Sequence, residues 1–369
     1  MRGIMGKKYG VMTFHRAINY GALMQGYALV EKLKDLGADS CMIDYKCPFI
    51  EDAYRLTWGL NRKTLGGYAV WAKSIPDQIR KKKRFRKFMK KHLTLSKSYT
   101  KDNIAKCENE FDGFVTGSDQ VWNMQVCGKD KNYMLDFLKD DSKKYSYAAS
   151  IGGYTLTEDE EEIAKSFNKI SMREKSASDY IAKATGKEVH TDLDPTLLLT
   201  KEQWEKVICK KRVIKKPYIF IYSVHPQNRM VEYAYKLAKE KGLEIYHLHN
   251  RVKKDLKEEN VNLIFDSSPE QFLSLIHDAE YVITNSFHGT VFSIIFQKQF
   301  LSELETKGGF NNRVWELLCK LGIKRRILDR VPGVNDGVVI DEEIDWNTVD
   351  VNMRNEREKS VEYLNSIIK

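Results

Sequence analysis

The stretch YVITNSFHGTVFSIIF runs from Tyr281 to Phe296. Its first residues are apolar and β-branched, which predicts a buried strand. Its second half is apolar again and contains small residues, which indicates a buried helix. A short polar turn, NSFHG, joins the two halves. A strand that passes through a polar turn directly into a helix is the repeating unit of a parallel α/β sheet.

The same alternation extends in both directions from this stretch. Strands are predicted at KYGVMTFH, CMIDY, PYIFIYSV and LEIYHLH, and glycine-terminated helices at GALMQGYALVEKLKDLG and NRMVEYAYKLAKEKG. A chain of 369 residues is also too long for one ordinary core. We therefore predict an α/β fold of two doubly wound Rossmann-type domains that face a central cleft. The predicted ranges are 1–195 and 196–369, with the final helix packing back on the first domain.

The composition is that of a globular protein, with 42% hydrophobic and 30% charged residues. The N-terminal sequence has no apolar run typical of a signal peptide, and no segment approaches the ~18 apolar residues of a membrane span. We therefore expect a cytoplasmic protein. Its six cysteines are scattered without a CxxC pair, so we expect reduced thiols and no structural zinc site.

The formal net charge is +10, and much of the excess lies in KKKRFRKFMKKH, residues 81–92. The spacing of Phe85, Phe88 and Met89 predicts an amphipathic helix with a basic face. One interpretation is a solvated face. The others are contact with an acidic polymer and a peripheral contact of Lys81–Lys91 with an anionic membrane at its inner, cytoplasmic face. No nucleic-acid motif accompanies the charges, so we expect no nucleic-acid partner.

Three polar clusters follow predicted strands: HRAINYGA (residues 15–22), GSDQVWN (117–123) and NSFHG (285–289). Ligands of parallel α/β sheets bind at the carboxyl ends of strands, so all three are candidate sites in the cleft. Each also has a structural explanation. Asn19, Ser118 and Ser286 could be helix caps, Trp122 could be a core residue, and Gly289 could allow close helix packing.

The chemistry of a helix start favours NSFHG as an anion site. A helix that begins near Ser286 leaves the first backbone N–H groups free to bind phosphate or carboxylate. Gly289 would let a ligand approach the backbone, and His288 would lie beside the anion as a proton donor. The chain lacks GxGxxG and GxxxxGK[ST] motifs. His247 and His249 share a strand face without a convincing third ligand, so we interpret them as structural and expect no metal.

Taken together, several segments make the sequence similar to the polysaccharide pyruvyl transferase family. They are TFHRAINYGALMQGYAL, FDGFVTGSDQVWN, YMLDF, KKYSYAASIG, ISMRE, DPTLLL, YVITNSFHGTVFSIIF and NNRVWELLCKLG. The resemblance implies a GT-B-like fold without a cofactor, and phosphoenolpyruvate as the donor substrate. It also implies an acceptor with two sugar hydroxyls, on a capsule or other cell-surface polysaccharide or its lipid-linked precursor. The product would be a pyruvate ketal.

The resemblance also implies residue roles. His288 would be the general acid, and Asp119 a weaker candidate for the base. The donor would contact Arg173, Ser286, Gly289 and Arg313, the last of which would replace an arginine that some members carry where Ser286 stands. The acceptor would face His15, Asn19, Gly21, Ser118 and Trp122.

Two other functions fit the same sequence. The helix start could hold the diphosphate of a nucleotide sugar, which would make the protein a GT-B glycosyltransferase. Alternatively, the protein could bind glycans without catalysis, an interpretation that Ser286 supports because it replaces an expected anion ligand. Release of phosphate, release of nucleotide, or binding without turnover would distinguish the three.

Overall fold

The structure, a computed structural model, describes residues 6–54, 65–225, 229–249, 259–304, 312–330 and 337–369. The chain forms two compact units. Unit 1 comprises Met1–Arg55, Lys90–Leu199 and Arg354–Lys369, and unit 2 comprises Leu56–Met89 and Thr200–Met353. The predicted ranges 1–195 and 196–369 are corrected accordingly. Residues 56–89 belong to unit 2, and residues 354–369 belong to unit 1.

Unit 1 contains a parallel sheet with the strand order β3-β2-β1-β4-β5-β6-β7. Its strands are β1 (Lys8–Met12), β2 (Asp39–Tyr45), β3 (Leu95–Tyr99), β4 (Gly113–Asp119), β5 (Lys144–Ala149), β6 (Ile170–Met172) and β7 (Val189–Thr191). Its helices are α1 (Tyr20–Asp35), α2 (Pro48–Ala53), α4 (Glu158–Lys165) and α5 (Lys175–Thr185). Helix α3 (Leu65–His92) passes from unit 2 into unit 1.

Unit 2 contains a second parallel sheet with the order β10-β9-β8-β11-β12-β13. Its strands are β8 (Tyr218–Ser223), β9 (Glu244–His249), β10 (Val261–Ile264), β11 (Tyr281–Thr284), β12 (Gln299–Leu304) and β13 (Ile327–Asp329). Its helices are α6 (Lys201–Glu205), α7 (Arg229–Lys241), α8 (Pro269–His277), α9 (Phe287–Ile295) and α10 (Asn312–Lys320). Helix α11 (Trp346–Ile368) begins in unit 2 and ends in unit 1.

The two sheets confirm the prediction of two Rossmann-type α/β domains. In each sheet the first strand of the unit lies in the interior, and the strand order reverses beside it, between β1 and β4 in unit 1 and between β8 and β11 in unit 2. Ligands of such sheets bind at this switch point. The opening stretch forms β11 and α9 as predicted, so the NSFHG turn lies at the switch point of unit 2.

The end of α11 packs into unit 1. The Tyr9 hydroxyl donates to the Ile367 carbonyl at 2.8 Å, and the Tyr363 hydroxyl donates to the Ser146 carbonyl at 2.8 Å. Tyr9 and Tyr363 are buried. These contacts attach the last residues of the chain to β1 and β5.

The basic segment forms the end of α3, as its periodicity predicts. Phe85 and Phe88 are buried, and Met89 is half-buried. Lys81 was predicted to lie on a basic face, but it is buried, and burial lowers its pKa to about 7. We therefore exclude Lys81 from that face. None of the helices in the described ranges is both long enough and apolar enough to cross a membrane. All six cysteines are free thiols.

Candidate functional site

The turn between β11 and α9 is built by local hydrogen bonds. Ser286 has an extended backbone and caps α9, where its hydroxyl accepts from the Gly289 amide at 3.3 Å. The Thr284 hydroxyl accepts from the Ser286 amide at 3.0 Å and donates to the Tyr222 carbonyl at 2.8 Å. The helix start is therefore fixed both to its own strand and to the neighbouring β8.

His288 lies in the first turn of α9, where the helix dipole is positive and the backbone N–H groups point outward. Only 8% of the surface of His288 is exposed to solvent. Its ring packs edge-on against Phe287, with ring centroids 5.2 Å apart. The ring is therefore held at the helix start with a small accessible surface, which suits a group that meets a ligand.

Cationic side chains lie near this helix start. The Arg313 guanidinium lies over the Phe287 ring, 5.5 Å from its centroid. Partial burial lowers the pKa of His225, and the positive charges of Arg330 and Arg313 lower it further. Unit 2 therefore gathers two arginines and two histidines near one positive helix end, an arrangement that attracts anions.

Two of these residues, His225 and Arg330, were missed by the sequence analysis. They follow β8 and β13 directly, so a search of every strand end would have found them. Asn285 fixes the loop that carries His225. Its side-chain oxygen accepts from the Val224 amide at 2.9 Å, and its side-chain nitrogen donates to the His225 carbonyl at 3.2 Å.

Gly289 has a different role from the one predicted. A Cβ at this position would overlap the Thr284 side chain. Gly289 therefore allows α9 to pack closely on β11. This role replaces the predicted one, in which Gly289 let a ligand approach the backbone.

The first polar cluster of unit 1 is largely structural. Asn19 caps α1, where its side-chain oxygen accepts from the amides of Gly21 and Ala22 at 3.0 and 3.3 Å. Gly21 is buried in the first turn of α1. The interpretation of Asn19 as a helix cap is therefore the one that the structure supports.

His15 is buried in an ion cluster at the ends of β1 and β2. Its Nε2 lies 3.3 Å from Asp44 Oδ1, and its Nδ1 lies 3.2 Å from the Thr13 carbonyl oxygen. Arg16 joins Asp44 and Glu51, at 2.5 Å each. Burial alone would raise the pKa of Asp44, but the bonds and charges of His15 and Arg16 outweigh it, and the pKa lies well below its usual range. Both ring nitrogens of His15 are committed inside unit 1, which corrects its predicted role in contacting an acceptor.

The second polar cluster contains two further corrections. Trp122 is fully buried and packs edge-on against Phe167, with ring centroids 5.0 Å apart. Ser118 is also fully buried, and its hydroxyl donates to Asp194 Oδ2 at 3.2 Å. Neither side chain is available to an acceptor sugar, so both are structural residues.

Arg173 is the centre of a buried ion cluster in unit 1. Its Nη1 donates to Asp194 Oδ2 at 2.7 Å. Asp119 Oδ1 lies 3.7 Å from Nη2, and Glu174 Oε1 lies 3.8 Å from Nε. Burial would lower the pKa of Arg173, but these three carboxylates raise it overall. The guanidinium therefore neutralises carboxylates of its own unit. These bonds do not support its predicted contact with the donor substrate.

Asp119 ends β4 in a strained backbone. Its φ is +68°, and that of Ala148 on the adjacent β5 is +45°. At Gly117, where φ is +145°, a Cβ would overlap the Tyr147 carbonyl oxygen. Left-handed conformations outside glycine are costly and occur preferentially at functional sites. The Asp119 carboxylate is 16% exposed, so it remains a candidate base.

The predicted residues thus fall into two groups. Ser286, His288, Gly289 and Arg313 come together in unit 2. His15, Asn19, Gly21, Ser118, Asp119, Trp122 and Arg173 lie in unit 1. Asp194 and Glu174 complete the ion cluster of unit 1 and were not predicted. Among the residues whose structure is described, no group of three or more potential ligands could hold a metal ion.

Comparison with known proteins gives one family. The model described as "Polysaccharide pyruvyl transferase" matches residues 19–302. No curated protein matches the chain.

Two solved structures illustrate a similarity at low sequence identity. An S. aureus MnaA–UDP co-structure shares 12% identity, with 94% of this chain and 90% of that chain covered and a TM-score of 0.49. A UDP-N-acetylglucosamine 2-epimerase from Rickettsia bellii shares 11% identity, with 98% of each chain covered and a TM-score of 0.49. At these values the likeness supports no conclusion about activity.

Proposed function

The chain belongs to the polysaccharide pyruvyl transferase family, a transferase family, and we propose that it transfers the pyruvate group of phosphoenolpyruvate to two sugar hydroxyls. The acceptor in this proposal is a cell-surface polysaccharide or its lipid-linked precursor, and no cofactor is needed. The observation that carries the proposal is the start of α9, where Arg313 lies over the Phe287 ring beside His288 and where the charges of Arg313 and Arg330 both act on His225.

The proposal assigns the donor to this helix start because of its charge. Phosphoenolpyruvate carries a phosphate and a carboxylate, and both are ligands for arginine and for the N–H groups of a helix start. Arg313 lies beside the residue that precedes His288, which supports the prediction that it replaces the arginine absent at Ser286. Arg330 adds positive charge on the β13 side, and His225, whose pKa is lowered, adds an imidazole on the β8 side.

His288 is the general acid of the proposed reaction. It donates a proton to the methylene carbon of phosphoenolpyruvate, and positive charge develops at the central carbon. A sugar oxygen bonds to that carbon, the bond from carbon to the phosphate oxygen breaks, and a second sugar hydroxyl closes the ketal. The proton of one sugar hydroxyl replaces the proton that His288 gave to the new methyl group. The proton of the other hydroxyl leaves on phosphate. The arginines and the helix dipole stabilise the leaving phosphate. Asp119 as the base stays a prediction.

The test compares donors with the full chain. The protein is incubated with candidate oligosaccharides and either phosphoenolpyruvate or nucleotide sugars, while phosphate, nucleotide and the mass of the acceptor are measured. Phosphate release together with a pyruvate ketal on the acceptor is the expected result. Nucleotide release would instead identify a glycosyltransferase. Acceptor binding without turnover of any donor would identify a glycan-binding protein.

A further inference from the structure

Five exposed cations form a line along the last turns of α3. They are Lys83, Arg86, Lys87, Lys90 and Lys91, and we refer to them as the cation stripe. Residues three and four apart lie on one face of a helix, so this spacing places all five together. At 1.5 Å per residue, the stripe extends for about 12 Å.

The other side of the same helix is buried, which fixes the direction of the stripe. Phe85 is 3% and Phe88 0% exposed, and Lys81 is 4% exposed. The helix cannot rotate the cations inward without exposing these side chains to water. The cations of the stripe therefore remain exposed to solvent in the folded protein.

Two further cations of α3, Arg80 and Arg84, lie beside an acid of unit 2. Arg80 Nε lies 2.7 Å from Asp266 Oδ2, and Arg84 Nη1 lies 3.2 Å from Asp266 Oδ1. Within the described part of unit 2 this acid offsets part of the charge of Arg80 and Arg84. The stripe adds five exposed cations to the surface of a protein whose formal net charge is +10.

We propose that the cation stripe docks the protein on an anionic lipid bilayer. A straight, convex helix face meets a flat surface, where mobile headgroups can gather under every cation. Nucleic acid is disfavoured because the aromatic residues of this segment, Phe85 and Phe88, are buried and offer no stacking surface. The stripe itself has no apolar residue, so contact is electrostatic, without insertion, and weakens steeply with salt.

The test is co-sedimentation of the full chain with phosphatidylcholine vesicles that contain or lack phosphatidylserine, at low and high ionic strength. The stripe variant is Lys83→Glu/Arg86→Glu/Lys90→Glu. The control variant is Lys210→Glu/Lys211→Glu/Lys215→Glu, which changes the net charge equally at exposed positions elsewhere. Thermal unfolding confirms that both variants fold.

Wild type and control are expected to sediment with the phosphatidylserine vesicles at low salt and to dissociate at high salt. The stripe variant is expected to bind at least about a hundredfold more weakly, since each lysine or arginine near an anionic surface contributes about fivefold. Equal losses in stripe and control variants would overturn the proposal, because net charge alone would then explain binding. Absence of wild-type binding, or binding only to a soluble acidic polysaccharide, would also overturn it. None of these outcomes depends on the reaction proposed above.

Discussion

At the scale of single residues, the sequence identifies polar clusters but not what each side chain does in them. Asn19 and Ser286 are caps, as their side-chain types allow. Trp122 and Ser118 lie at a strand end but point into the core. Arg173 was predicted as a ligand residue because of its charge. Its burial depends on Asp194, which lies far away in sequence, and no local pattern reveals such a partner.

Arg173→Ala should therefore affect folding more than donor affinity. It leaves the carboxylates of Glu174 and Asp194 buried without their cation, and breaking a buried ion pair costs about 3–5 kcal/mol. Urea denaturation should show this loss in the free energy of unfolding. The control Lys175→Ala removes an exposed pair with Asp179 and should cost about 1 kcal/mol or less. If Arg173→Ala unfolds like wild type, the guanidinium does not stabilise the cluster.

At the scale of elements, long periodic segments were predicted well, and short strands were not. Strands β3, β6, β7, β12 and β13 were missed. Most of them are short or lie at a sheet edge, so they have few apolar positions. Strand β12 contains a fully buried glutamate, Glu303, which breaks an apolar pattern. Its carboxylate accepts from the amides of Arg229 and Met230 at the start of α7, at 3.1 and 2.9 Å. That contact is tertiary and cannot be predicted from periodicity.

The close packing of α9 on β11 predicts that Gly289→Ala destabilises unit 2. The new methyl group would displace Thr284, whose hydroxyl is already bonded on both sides. Overpacking of this kind lowers the free energy of unfolding by about 1–3 kcal/mol. In Ser286→Ala the helix cap is lost instead, which lowers it by about 1 kcal/mol. Thermal and urea unfolding measure both effects. Gly337→Ala, where a Cβ would meet open space, should be close to neutral; an equal loss there would refute the packing role of Gly289.

The burial of Lys81 in α3 predicts a pH-dependent stability. Burial lowers its pKa to about 7, against about 10.4 in an unfolded chain. Between these values the folded state binds fewer protons than the unfolded state, so this lysine makes the free energy of unfolding rise with pH. Lys81→Met should remove that rise, with its largest stabilisation at pH 7 and below.

Urea denaturation from pH 6 to pH 10, compared with wild type at each pH, measures the effect. Lys83→Met, at an exposed position of the same helix, controls for the lost charge. A difference between Lys81→Met and wild type that does not change with pH would show that Lys81 is not buried as described.

At the scale of the whole molecule, strand–helix alternation was enough to predict two parallel sheets, because each turn from strand to helix is a local signal. The return of the final helix to the first unit was predicted, but the assignment of residues 56–89 to unit 2 was not predictable as a boundary. A continuous helix, such as α3 or α11, carries no compositional break where it passes from one unit to the other. His288 and Arg313 were predicted as donor-site residues, whereas His225 and Arg330 follow other strands and join them only through tertiary structure.

The central claim is that His288 acts in catalysis and not in folding. The decisive measurement is phosphate release from phosphoenolpyruvate in the presence of acceptor, made beside thermal unfolding for wild type and His288→Asn. The control is His190→Asn, at an exposed position of unit 1. We expect His288→Asn to keep the wild-type melting temperature and to lose about 10²–10⁴-fold in rate, while His190→Asn keeps both. Near-native turnover by His288→Asn would show that His288 is not catalytic and that the NSFHG turn serves only in helix capping and packing.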